Sequence, residues 1–319
     1  MTLANKFYII RLGRQILYSG RRDGSRRDFR ALFGVSPTVC VDLWYLCRDS
    51  FDKKIRPRHL LWSLMWMKTC ATEPILSSLV RVTRKTFRKW NWKVLPTVSA
   101  QAKHLVSHSF THACFRIVAT YFVLLPCLQI KWSNRYQGDK GRTCLVSVDG
   151  TDFRICEPAI PRGQRWIIWK GKRLPFHPKW YCHKHNGPGV RYEVAVCLQT
   201  GDIVWINGPF PCGKWPDKKI FKHKLIHKLD NNEMTEADST YSGMPYECRM
   251  PGDYLNEANR VAKADGHARQ ETINRFKQFN CLGHRYWHDL KHHSMIFKAC
   301  AVCVQLSIEQ GEMNWDINY

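Results

Sequence analysis

Three acids in the second half of the sequence are of the right type to hold divalent cations: Asp149 in LVSVDGTDF, Asp238 in EADSTYSG and Glu271 in ARQETINRFKQF. One carboxylate alone does not hold Mg2+ firmly, because the ion prefers octahedral oxygen ligands and keeps several waters. Three acids on separate elements can converge over one sheet edge and bridge two ions. Such ions, about 3.5–4 Å apart, activate a water or a 3′-hydroxyl for in-line displacement at phosphorus. Asp152, Asp217, Asp253 and Asp265 are rivals for the same roles.

Positioning those acids takes strands and helices. The apolar run Leu145–Val148 leads straight to Asp149, and Gly150-Thr151 follows, so this acid is expected at the end of a strand within Cys144–Ile155. Tyr192–Gln199 alternates and is rich in β-branched residues; Thr200-Gly201 then turns the chain into Asp202–Asn207, a hairpin signal. Lys218–Leu229 places Ile220, Phe221, Leu225 and Leu229 on one side of a helix. The residues before Asp238, NNEMTEA, are polar and predict a poor buried strand. Asn256–Phe279 and Ser294–Gln310 read as helices; on the first, Ile273 and Phe276 face the core and Arg269, Asn274 and Lys277 accompany Glu271. The class is mixed α/β behind an all-α front half.

A chain of 319 residues with 44% hydrophobic and 13% aromatic content has material for a buried core and is not of the disordered class. Its formal net charge of +24 favours a polyanionic partner, nucleic acid before others. Residues 1–140 hold 25 Lys and Arg against 7 Asp and Glu, while residues 141–319 hold 25 against 19. The phosphate-binding surface is therefore expected in the front half. Fourteen cysteines lie mostly in apolar stretches and read as reduced thiols, so a soluble intracellular protein is expected. No run approaches the ~20 apolar residues of a membrane span.

Within the front half, residues 1–28 read as a basic flexible arm. Phe29, Leu32 and Phe33 share a helical face, Gly34 breaks it, and Ser36-Pro37 opens a second helix with a good N-cap. Helix, glycine turn, helix is the helix-turn-helix outline. Helices follow at His59–Thr69 and Ile75–Val80, and Thr83 caps a basic helix, Arg84–Trp92. Arg84, Lys85, Arg88 and Lys89 there are candidates for phosphate contact, with Phe87, Trp90 and Trp92 interleaved. His108–Gln129 continues as helix, and Ser133–Arg142 is the expected linker.

Other clusters are weighed against plainer readings. His284, His288 and His292, four apart, would line one helix face, yet no acid or thiolate is spaced to complete a zinc site. Cys300 and Cys303 read as core packing; Cys182, His183 and His185 resemble a ligand cluster but need no metal. Gly187 and Gly189 read as a turn into the next strand. Glu157–Trp180 interleaves Arg165, Lys170 and Arg173 with Trp166, Trp169 and Trp180, a pattern suited to holding a DNA end or simply an exposed loop.

The runs VSVDGTDF, HKHNGPGVRYEVAV, GPFPCGKWPDKKIF, ADSTY, ARQETINRFKQF and HDLKHHSMIFKACAVCVQLSIE, in that order, closely resemble the catalytic domain of Harbinger-type DDE transposases and related endonucleases. The resemblance covers residues 142–319. It implies an RNase H-like fold, a mixed sheet flanked by helices, spanning 141–319 behind a helical, helix-turn-helix-like DNA-binding region at 29–140. It also implies that Asp149, Asp238 and Glu271 hold two Mg2+ or Mn2+ ions, that Arg269 and Lys277 contact phosphate, and that Asp217 is an acidic position outside the metal set. The expected activity is cutting and joining double-stranded DNA, transposon ends and target, in the nucleus. A homo-oligomer and a separate DNA-binding accessory protein are conceivable partners, and no membrane is involved. The alternative of another class is a domesticated or decayed copy that binds DNA without cleaving it.

Overall fold

A computed structural model describes residues 8, 9, 11–13, 15, 26–102, 130, 132–136, 144–158, 166–174, 177–250 and 271–312. The chain forms two compact units. One comprises Met1–Lys131, Arg275–Cys281 and Met295–Tyr319; the other comprises Trp132–Asn274 and Leu282–Ser294. The expected basic arm falls largely outside the described residues, as do 108–129, most of the 133–142 linker, Arg165, Arg269, Asp253 and Asp265.

In the first unit, α1 (Arg26–Phe33) ends at Gly34, whose φ of 75° lies in the left-handed region that a side chain disfavours. α2 (Pro37–Cys47) starts as expected: Ser36 Oγ accepts from Val39 N at 3.3 Å and Pro37 sits in the first turn. α3 (Pro57–Thr69) buries every residue from His59 to Lys68, which is how a helix apolar on all sides must sit. α4 (Glu73–Leu79) and α5 (Arg84–Ala100) follow, the latter capped by Thr83. The aromatics of α5 turn inward rather than towards a ligand. Trp90 stacks on His59 at 4.3 Å, Phe87 lies 6.2 Å from Trp62, and Trp92 lies 5.7 Å from Trp66. Arg84, Lys85, Arg88 and Lys89 stay exposed on the outer side, Arg88 forking onto Glu73 with Nε–O distances of 2.8 and 2.9 Å. This unit also takes the last helix from Met295 onward, where Phe276 stacks on Phe297 at 4.8 Å.

The second unit is built on a mixed sheet in the order β4-β5-β1-β7-β8, with β6 also on β5. Its strands are β1 (Cys144–Arg154), β4 (Tyr181–Cys182), β5 (Gly187–Cys197), β6 (Ile203–Pro211), β7 (Met234–Glu236) and β8 (Cys248–Arg249). β5 and β6 make the expected hairpin around Thr200-Gly201. β1 runs antiparallel to β5 and parallel to β7. Opposed residues share a face, so Val146 and Val148 meet Cys197 and Ala195. On that face they pack with Phe221 and Leu225, from α6 (Asp217–His223) and the turn after it, and with Tyr241. On the other face Phe153, Tyr192 and Tyr286 surround buried His293, whose Nδ1 lies 2.8 Å from the Tyr192 hydroxyl. His293 opens α7 (His293–Glu309), where Cys300 and Cys303 are fully buried.

Three expectations change. The polar lead-in to Asp238 does form a buried strand, β7. The three spaced histidines do not share a helix: a short turn ends at Gly283, Tyr286 makes a strand-like bridge to Ile155, and His292 falls in a separate 3-10 turn. Gly187 and Gly189 lie within β5 itself. The excursion after Glu157 contains a small hairpin, β2 (Ile167–Trp169) and β3 (Lys172–Leu174), with Trp166, Ile168, Lys170, Lys172 and Arg173 exposed.

Candidate active site

The parallel pairing of β1 with β7 sets the site. Ser147 pairs with Glu236, so Asp238 lies just past the end of β7, while Asp149 lies within β1, which runs on to Arg154 instead of ending at this acid as expected. Both are half-buried. The Gly150 amide donates to Asp149 Oδ1 at 2.8 Å, and the Thr240 amide donates to Asp238 Oδ1 at 3.0 Å. Each carboxylate is thus oriented by backbone N–H and keeps capacity to accept more.

Asp217, at the start of α6, joins them. Burial pushes its carboxyl up to about 6, and the negative charges of Asp152, Asp149 and Asp238 add to the rise against the pull of Arg191. Its Oδ2 accepts from Arg191 Nη1 at 3.1 Å, while Oδ1 is buried without a hydrogen-bond partner. Gly150 makes the room: a Cβ there would fall 1.6 Å from Asp217 Oδ1. The resemblance left Asp217 outside the metal set, but its charge neighbours are the two acids of that set. The local signal was present in the sequence as an acid opening a helix; its proximity to Asp149 comes only from the fold.

Glu271 is half-buried at the beginning of helical residues 271–277, in the same unit as Asp149 and Asp238. Lys277 lies on that helical segment, half-buried, and belongs to the other unit.

Behind these acids sits a layer of buried polar groups. Arg191 forks onto Asp152 with contacts of 2.6 and 2.7 Å, so one guanidinium ties Asp152 to Asp217. Desolvation pulls against Arg191's charge, but the bonds to Asp152 and the charge of Asp217 prevail and hold it firmly protonated. Glu193, 1% exposed, accepts from Trp205 Nε1 at 2.8 Å and leaves Oε1 without a partner; burial pushes its carboxyl up to about 7. Tyr241 is fully buried with its hydroxyl unpartnered, and feels Asp217, Glu193, Asp149 and Asp238.

This arrangement fits a divalent cation. Half-buried and buried carboxylates of like charge crowd together, an oxygen of Asp217 lacks a donor, and Arg191 neutralises only part of the charge. A hard, oxygen-seeking ion satisfies that set.

A second ligand-bearing group lies nearby. Asp152, Cys182 and Cys212 bring one carboxylate oxygen and two thiol sulfurs within 4.8 Å of one another, all buried. A hydrogen bond from Cys212 draws the Cys182 thiol below its ordinary value, and the same shared proton raises Cys212. The sequence pointed to Cys182 with His183 and His185; the fold instead partners Cys182 with residues 30 positions before and after it.

Residues 148–305 match the family described as DDE superfamily endonuclease. The matched stretch includes Asp149, Asp217, Asp238 and Glu271, and it supports that superfamily and, through it, a transposase-like nuclease acting on DNA. No curated protein and no solved structure matches the chain. Among the described residues, no helix is long and apolar enough to cross a membrane.

Proposed function

We infer that this protein is a Harbinger-type DDE endonuclease with an RNase H-like catalytic domain. In this reading it cuts double-stranded DNA and joins the freed 3′ end by two-metal-ion phosphoryl transfer. The observation that supports the reading is that the charges of Asp149, on β1, and Asp238, just past the parallel strand β7, both bear on buried Asp217, inside the stretch matched by the superfamily.

Asp149, Asp238 and Glu271 would hold Mg2+ or Mn2+, with the free oxygen of Asp217 as a further ligand. When bound, the ions supply Lewis acidity at phosphorus and lower the pKa of the attacking water. The chain's own residues do the positioning. The backbone N–H of Gly150 and of Thr240 aim the two acids, and Arg191 fixes Asp217 through its other oxygen. No covalent protein intermediate is needed.

The exposed cations of α5 and of the β2–β3 hairpin would track the phosphate backbone, with Trp166 and Ile168 offering apolar contact to unstacked bases. Arg165 and Arg269 are further candidates of the same kind, as is Lys277. Action in the nucleus, on transposon ends and target DNA, follows from this reading, and an accessory DNA-binding protein or a second copy would complete the assembly.

The test is Mg2+-dependent cleavage of the element's own ends by wild type, Asp149→Asn and Glu271→Gln. Wild type is expected to cut and both variants to fall to background. Equal cleavage by Glu271→Gln removes that residue from the site. Wild type that binds the ends and never cuts favours the binding-only alternative.

A further inference from the structure

The geometry points to a second metal centre in the sheet, a zinc site formed by Asp152, Cys182 and Cys212 and distinct from the catalytic carboxylates. Zn–S bonds of about 2.3 Å and Zn–O bonds of about 2.0–2.2 Å at a tetrahedral angle put sulfur and oxygen about 3.5 Å apart. Each sulfur lies near that distance from a different oxygen of the carboxylate, Cys182 Sγ 3.2 Å from Asp152 Oδ2 and Cys212 Sγ 3.6 Å from Oδ1, and with one oxygen as ligand the three donor atoms lie within 4.8 Å of one another. The three ligands come from β1, from β4 and from the residue just after β6, so their spacing is set by the sheet rather than by a loop. Gly189 on β5 lies between them: a Cβ there would meet Cys182 Cβ at 3.0 Å and Cys212 Sγ at 3.2 Å.

The donor set selects the ion. Two sulfurs and one oxygen suit Zn2+ and disfavour Mg2+, which takes oxygen alone. Charge also balances. As the ion binds, Cys182 and Cys212 each release a proton to solvent, so two thiolates meet two positive charges while Arg191 continues to neutralise Asp152. The Arg191 fork then acts as the outer partner that fixes the carboxylate's orientation. The fourth position falls to solvent.

The full-length chain, stripped with chelator, incubated with zinc and gel-filtered, is expected to retain one equivalent by elemental analysis. Cobalt in its place is expected to give a thiolate-to-cobalt charge-transfer band. Cys182→Ser combined with Cys212→Ser should lose both signals. Asp149→Asn and Cys281→Ser should keep them, which separates this centre from the catalytic acids and from other thiols. Wild type without zinc or without the charge-transfer band overturns the site, and so does full retention by the double serine variant. The wild-type cobalt spectrum decides the matter even if the serine variants fold poorly. None of these readouts depends on nuclease activity.

Discussion

Replacing Glu193 with Gln should make the protein more stable at alkaline pH and leave it nearly unchanged in acid. Glu193 is 1% exposed, one oxygen accepts from Trp205 and the other has no partner. Burial raises its carboxyl from 4.5 to about 7. The folded state therefore binds this proton more tightly than the unfolded chain does. The associated stability is fully present below about pH 4.5 and is lost as pH rises through about 7. At 1.36 kcal/mol for each pH unit, the cost of ionising Glu193 in the folded state reaches about 3 kcal/mol above pH 7. Gln keeps an oxygen for Trp205 and does not titrate. Urea unfolding in chelator, followed at pH 4.5 and pH 8, measures the difference. Wild type and variant should be close at the lower pH, and the variant more stable by up to about 3 kcal/mol at the higher. A difference independent of pH, or a variant weaker than wild type at pH 8, would refute the argument.

Three further outcomes follow from the geometry. Gly150→Ala should abolish cleavage while the protein stays folded by circular dichroism. The new methyl displaces Asp217 and parts it from Arg191, a charge-assisted bond worth about 1.5–3 kcal/mol. Alanine at Lys170, Lys172 and Arg173 together should lower the slope of log affinity against log salt by about 3, one phosphate contact each, in a DNA-binding titration. An unchanged slope removes the hairpin from the DNA surface. Ser36→Ala should cost about 1 kcal/mol in urea unfolding, since it removes the cap of α2, without altering metal binding.

Local chemistry was readable from the sequence wherever neighbours in the chain decide the outcome. Ser36 and Thr83 cap helices because a hydroxyl before a helical run reaches the backbone three residues on. The β5–β6 hairpin and the strand leading to Asp149 likewise follow from local alternation and turn residues. The polar composition of β7 disguises a buried strand because polar residues in and beside it are satisfied at long range. Arg135 Nε bonds Glu233 at 2.8 Å across 98 residues, and Thr235 Oγ1 donates to the Glu247 carbonyl at 3.2 Å. The inward turn of Phe87, Trp90 and Trp92 could not be read from α5 alone, because amphipathicity does not say what covers the apolar side. The spacing of His284, His288 and His292 suggested a helix face, but a bridge from Tyr286 to Ile155 extends the chain there. Asp217 and the Asp152–Cys182–Cys212 group are products of tertiary proximity, and no spacing rule would have assembled them.

The parallel pairing of β1 with β7 carries a consequence for biosynthesis. Parallel neighbours cannot be joined by a tight turn, and here the intervening chain includes β4, β5, β6 and α6. Asp149 leaves the ribosome well before Asp238, and the β1–β7 pairing cannot form until β7 has been made. A nascent or truncated chain ending before Met234 lacks Asp238 and has no paired acids. Of the sheet, only β8, which pairs with β7, is synthesised later.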